Sequence, residues 1–148
     1  MWLVKELQAA AAAGQRVIVF IHYRLDGGPG GPVGTGLGPS HVPNRGWVDD
    51  CTLGNAAVAR AVLEANEGLV LAVFSGHDHA PQPPYTHAAV GKPAYITHAA
   101  TVEGPWPANN AFSRVSVRSD CSVSVHGFGS GGYNVTIAGP PNCSLTLR

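Results

Sequence analysis

Two histidines separated by a single residue carry the strongest chemical signal in the chain. They lie in the sequence Gly76-His77-Asp78-His79, directly after an apolar run over residues 69–74 that predicts a buried strand. Imidazole nitrogen is a good ligand for manganese, iron and zinc ions. Because two imidazoles on a tight turn can approach one site from different sides, this segment predicts metal ligands at His77 and His79. Asp78 lies between them and is given no catalytic role.

A third histidine, His22, ends a second apolar run over residues 17–21. In a parallel sheet the carboxyl ends of the two strands would lie at the same edge, where open α/β sheets bind their ligands. A lone histidine at a strand end is more often a structural residue than a ligand. Combined with the segment at the next strand end, His22 becomes a third predicted metal ligand.

The remaining histidines belong to no such pattern. His98 ends a β-like run and could lie near the cleft, but we interpret His87, His98 and His126 as structural or surface residues. Tyr85 lies in a Pro-rich loop, where its ring could stack on a nucleobase of a substrate. Aromatic residues beside prolines are also common in ordinary loop packing.

The first half of the chain alternates helices and strands around these residues. Apolar side chains recur at helical spacing over residues 2–13 and again over 52–65, so both segments predict helices. A strand is predicted over 17–22, after the first helix. Repeated glycine and proline between residues 26 and 46 predict a loop that is longer than most loops inside compact domains.

The second half of the chain is predicted to be rich in β-structure. Short β-like runs occupy residues 94–99, 111–118 and 121–126, and the last two alternate apolar with polar residues. The glycine-rich stretch over 127–132 predicts a loop. No internal repeat of the length found in repeat proteins is visible.

Composition restricts the class of protein. The chain has 148 residues, 45% of them hydrophobic and 12% charged, with nine basic and nine acidic side chains. This is enough for one domain, and the balanced charge argues against a nucleic acid polymer or an anionic membrane as partner. We expect a soluble protein, with the cytoplasm favoured, because the sequence shows neither a long apolar span nor a signal-peptide pattern. Three cysteines allow one disulfide.

The order of these elements resembles the second half of the calcineurin-like metallophosphoesterases, whose last metal motif is Gly-His-x-His. The chain is more closely similar to the manganese-dependent ADP-ribose/CDP-alcohol diphosphatase group within them. Besides the strand end at His22, the segments that carry this closer similarity are Trp2-Leu3, Asp50-Cys51-Thr52-Leu53 with Asn55, Phe74-Ser75-Gly76-His77-Asp78-His79, Val102-Glu103-Gly104 and Asn110-Ala111-Phe112.

The resemblance implies an α/β fold, the C-terminal half of a four-layer α/β/β/α sandwich. It implies two divalent metal ions, manganese, iron or zinc, with His22 and His77 as ligands of one ion and His79 as a ligand of the other. The implied reaction is hydrolysis of a phosphoester or phosphoanhydride by a metal-activated hydroxide. The substrate would be a phosphorylated small molecule, including nucleoside diphosphate-linked compounds, with Asn55 and Tyr85 as candidate contacts.

The sequence also departs from that family. The family's earlier motifs, which include its bridging aspartate, should precede the strand that ends at His22, but only 21 residues do so and none of these motifs is present. We therefore expect residues 1–130 to be the C-terminal part of the phosphoesterase domain and residues 131–148 to be a tail, with the isolated chain incomplete, inactive and exposing strand edges and apolar faces. The alternative is a truncated, non-catalytic β-rich domain or interaction module.

Overall fold

A computed structural model describes residues 1–22, 25, 56–76, 86–87, 93–98, 112–129 and 133–145. These residues form two helices and seven strands. In chain order, they are α1 (Trp2–Ala12), β1 (Val17–Phe20), α2 (Ala56–Glu64), β2 (Val70–Ser75), β3 (Thr86–His87), β4 (Ala94–Thr97), β5 (Phe112–Val117), β6 (Val123–Phe128) and β7 (Asn134–Ile137).

Both predicted helices are confirmed within the described residues. In α1, an Ala-rich segment of high helix propensity buries one side chain, Leu7, against the core. The helix ends before Gly14, whose φ of 65° is a left-handed conformation that glycine adopts without strain. In α2, the corresponding core residue is Leu63, which is 1% exposed. Residues 52–55 of the second predicted helix lie outside the described residues.

The first sheet contains four strands in the order β1-β2-β4-β3. Strands β1, β2 and β4 run parallel, and β3 pairs with β4 in the antiparallel direction. All six residues of β2 are buried, which explains why this strand reads in the sequence as a continuous apolar run rather than an alternating one. In contrast, β1 is the outermost strand on its side among the described residues, and the side chain of its last residue, Phe20, is 72% exposed.

The second sheet is antiparallel and has the order β5-β6-β7. Strand β5 falls within the predicted run at 111–118, whereas β6 begins and ends about two residues later than predicted and takes Gly127 out of the predicted loop. Sequence analysis did not predict β7, which lies in the segment assigned to the tail. Its pairing with β6 makes this part of the segment an integral strand of the sheet.

Two clusters of buried side chains show that the described residues form three layers. One cluster joins both helices to the first sheet, and its members are Leu7, Leu25, Leu63, Val70, Val73 and Tyr95. The other joins the opposite face of that sheet to the second sheet, and its members are Leu71, Ala72, Phe74, Ile96, Cys121, Val123 and Val125. The architecture is therefore mixed α/β, with helices, first sheet and second sheet stacked in that order.

A disulfide fastens the end of the described chain to the second sheet. Cys121, in the turn before β6, is bonded to Cys143, which follows β7, with a Cα–Cα distance of 5.8 Å. The Nε of Arg16 donates a hydrogen bond to the Cys143 sulfur at 3.1 Å, so the same point also contacts the start of the first sheet. The sequence left the choice of cysteine pair open. Within the described residues, neither helix is long and apolar enough to cross a membrane.

Candidate functional site

The carboxyl ends of the three parallel strands lie side by side, as the sequence predicted for two of them. Phe20 pairs with Phe74, and Phe74 pairs with Ile96, across β1, β2 and β4. Backbone hydrogen bonds extend this alignment beyond the strands: the Gly76 amide donates to the His22 carbonyl at 3.1 Å, and the His98 amide donates to the Ser75 carbonyl at 2.8 Å. The residues that follow the three strands are therefore neighbours at one edge of the sheet.

An open depression occupies this edge. Its volume is about 420 Å³, within the range of small-molecule sites. Its walls are largely apolar and aromatic, with two imidazoles among them, and the lining residues are Phe20, Ile21, His22, Phe74, Ser75, Gly76 and His98. The Phe20 and Phe74 rings stack with their centroids 5.3 Å apart. The geometry thus gives a shallow aromatic site at the position where open α/β sheets bind ligands.

Among the predicted site residues, the structure describes His22 alone. Its side chain is exposed and lines the depression. His77, His79, Asn55 and Tyr85 lie outside the described residues, so their predicted roles stay predictions. Gly76, the residue that precedes His77, is described and lies beside His22.

His98 lines the same depression and has partners in the second sheet. Its Nε2 lies 2.7 Å from the Ser113 hydroxyl on β5, and both of its ring nitrogens lie 3.2 Å from the Tyr133 hydroxyl, just before β7. The Phe74 ring is also close, at a centroid distance of 6.1 Å. Burial lowers the pKa of His98, and burial also raises the pKa of Tyr133, against the opposing effect of its hydrogen bond with Ser113.

Sequence analysis gave His98 no ligand-binding role. The available signal was its position directly after a β-like run, the same position that made His22 a candidate. Its partners could not be anticipated, because Ser113 and Tyr133 are 15 and 35 residues away, the first on a strand of another sheet and the second directly before one. The structure therefore adds a second imidazole to the candidate site.

Titration of His98 should show the effect of its burial directly. We expect its pKa to lie below the ordinary value of about 6.5, because burial disfavours the charged ring. The contribution of His98 to folding stability is then present above the unfolded-state pKa and is lost as the pH falls through the lower folded-state pKa. Tyr133 stays neutral across this range, and among the described residues His22 is the other titratable group lining the depression.

The measurement is an NMR titration of the ring C–H resonances, with His98→Ala used to assign the His98 signal. A second measurement is the pH dependence of urea unfolding, which should become less steep on the acid side in the same variant. A His98 pKa at or above the ordinary histidine value would contradict the expectation.

The donor chemistry of this edge suits a metal ion only in part. His22 is an exposed imidazole, the donor type that suits manganese, iron and zinc. However, the described part of the chain has no group of three histidine, cysteine, aspartate or glutamate side chains placed to hold an ion. A coordination sphere that includes His22 would therefore need donors from other residues, and the sequence offers His77 and His79.

Comparison with known proteins gives no relative. The sequence matches no protein-family model and no curated protein, and the chain matches no solved structure.

Proposed function

We propose that this chain is the C-terminal half of a metallophosphoesterase domain and that the depression forms one wall of its active site. The observation that carries the proposal is the position of His22 beside Gly76 at the edge where parallel strands end. Since His77 is the next residue of the sequence after Gly76, the two predicted ligands are connected to neighbouring points of the sheet. His22, His77 and His79 would hold divalent metal ions there, either manganese, iron or zinc.

The chemistry of these residues fits hydrolysis of a phosphoester or phosphoanhydride. Neutral imidazoles bind a cation without cancelling its charge, so the full positive charge is available to a phosphoryl group. When bound, the ions would supply a nucleophilic water of lowered pKa and neutralise the charge that develops on the phosphoryl oxygens. The aromatic wall at Phe20 and Phe74 would exclude water from one side of the substrate.

The layer order is compatible with this proposal. In the proposed domain, the described helices, first sheet and second sheet would be three layers of an α/β/β/α sandwich, with a further helical layer on the second sheet. We propose a phosphorylated small molecule as substrate, including compounds linked to a nucleoside diphosphate. Asn55 and Tyr85 are its proposed contacts beyond the metal ligands.

Metal titration tests the ligand set. Zinc and manganese binding to this chain would be measured by isothermal titration calorimetry for the original sequence and for His22→Ala, His77→Ala and His79→Ala. Each change removes one of few donors, so we expect affinity to fall by roughly tenfold or more, at least the effect of losing an outer-shell partner. His126→Ala is the matched control, because His126 lies on β6 and bonds to Asn134 instead of lining the depression.

Equal metal affinity in all four variants would overturn the ligand assignment. It would favour the alternative of a non-catalytic β-rich domain or interaction module. A second readout is hydrolysis of an aryl phosphodiester in the presence of manganese by the longest natural protein that contains this sequence. There, His77→Ala should lower the rate by about two orders of magnitude or more. When several residues act together in catalysis, the loss of any one of them removes most of the rate enhancement.

A further inference from the structure

The contacts of His98 hold its ring at the edge of the depression. Ser113 fixes Nε2 from β5 at 2.7 Å, and the Tyr133 hydroxyl approaches from the residue before β7. Ser113 belongs to the second sheet and Tyr133 directly precedes its strand β7, whereas His98 follows β4 of the first sheet. The His98 ring is therefore held by residues outside its own sheet, and its orientation is not set by the end of β4 alone.

One ring nitrogen has only a long contact within the described residues. The Tyr133 hydroxyl lies equally far, at 3.2 Å, from Nδ1 and Nε2, and one hydroxyl proton can serve one nitrogen at a time. Ser113 already forms a hydrogen bond with Nε2 at the shorter distance. Among the described residues, the hydrogen-bond contact of Nδ1 is therefore the long one with Tyr133. A ligand oxygen could replace that contact without breaking the bond to Ser113.

Hydroxyl partners also leave the ring free to choose its tautomer. Serine and tyrosine hydroxyls can either donate or accept, so either ring nitrogen can carry the proton. His98 can thus present an N–H group to an acceptor in the depression while Ser113 donates to the other nitrogen. Its lowered pKa keeps the ring neutral near pH 7, the state in which it donates at one nitrogen and accepts at the other.

We propose that His98 contacts the ligand of this site, donating a hydrogen bond from its imidazole to an oxygen of a bound phosphoryl group, and that Ser113 and Tyr133 are positioning residues. The choice of a phosphoryl group rests on the proposed function, since that function supplies the class of ligand. The contact itself requires no metal ion. The two proposals can therefore fail separately.

The test uses inorganic phosphate as the probe, in the presence of a chelator so that no metal ion contributes. Phosphate would be titrated into the labelled chain while NMR follows the His98 ring nitrogens and the backbone amides of Ser75 and Gly76. We expect saturable shifts at all three residues. His98→Ala should weaken phosphate binding by about tenfold or more, the usual consequence of losing a hydrogen bond to a charged group.

The positioning role has its own readout. Ser113→Ala and Tyr133→Phe should change the balance of His98 tautomers, seen in the ring nitrogen shifts, and weaken phosphate binding by a smaller factor of a few. His126→Ala should leave both unchanged, because His126 lies on β6, bonds to Asn134 on β7 and does not line the depression. Far-ultraviolet circular dichroism would establish that each variant is folded.

If His98→Ala fails to fold, His98→Gln is the second variant. It keeps a side-chain N–H donor, so its phosphate affinity should lie between that of the original chain and that of a variant without a donor at this position. Phosphate shifts that persist unchanged in a folded His98 variant would overturn the inference, as would the absence of saturable shifts in the original chain. Phosphate binding that depends on His98 under chelator, together with equal metal affinity in all histidine variants, would support this inference while refuting the metal site. Phosphate binding that does not depend on His98, together with metal affinity that falls in the His22, His77 and His79 variants, would refute this inference alone.

Discussion

Replacing Ile96 with alanine should lower the free energy of unfolding by about 2–5 kcal/mol, the range measured for large-to-small changes in protein cores. Ile96 is 0% exposed and lies on β4, between β2 and β3. Its side chain belongs to the cluster that joins the two sheets, together with Val123 and Val125 of β6. The change would leave a cavity at the contact between the sheets, where rigid strands on both sides limit relaxation.

The measurement is urea unfolding followed by circular dichroism, compared with Val58→Ala as the control. Val58 lies on α2 with 51% of its surface exposed, so its truncation removes little buried area and leaves no cavity. We expect its effect to stay within about 0.5 kcal/mol, as for surface changes away from special features. An Ile96→Ala loss no larger than that of Val58→Ala would show that the two sheets do not share a packed core.

Local sequence signals were sufficient to predict strand β2 and helix α1. The apolar run of β2 predicted a strand because parallel strands covered on both sides need apolar residues at every position. Helix α1 was predicted because its apolar residues recur at helical spacing and Gly14 marks its end. These features depend on residues close in sequence, so a single amino-acid sequence is enough to predict them.

The second sheet was harder to predict because its boundaries depend on turns. Cys121 has a positive φ of 63°, an uncommon conformation outside glycine, and the turn that it forms delays the start of β6 relative to the apolar pattern. Strand β7 has four residues and only two apolar ones, Val135 and Ile137, so it gives a weak alternation signal. Its pairing with β6 stabilises a segment that local propensity alone would not.

In the candidate site too, the sequence predicted what depends on local signals and missed what depends on tertiary packing. The position of His22 followed from the sequence, because residues after parallel strands share an edge. The role of His98 did not, because it depends on Ser113 and Tyr133, which reach it across the contact between two sheets. Which distant hydroxyls meet a strand end is decided by tertiary packing, and no local pattern encodes it.

Reducing the disulfide should lower the free energy of unfolding by about 3 kcal/mol, the loop-closure value for a loop of this size. Cys121 and Cys143 are 22 residues apart in sequence and enclose both β6 and β7. The bond limits the freedom of the unfolded chain and holds the segment after β7 against Arg16. Such bonds form and persist mainly in oxidising surroundings.

The measurement compares unfolding by urea with and without dithiothreitol, for the original chain and for a Cys121→Ser/Cys143→Ser double variant. The original chain should lose stability on reduction, whereas the double variant should show the lower stability in both conditions and no response to the reductant. The double variant is therefore the control for effects of dithiothreitol on the third cysteine, Cys51, which it retains. Equal stability of the original chain in both conditions, with mass spectrometry confirming that the bond had been present, would show that the pair contributes nothing to the fold.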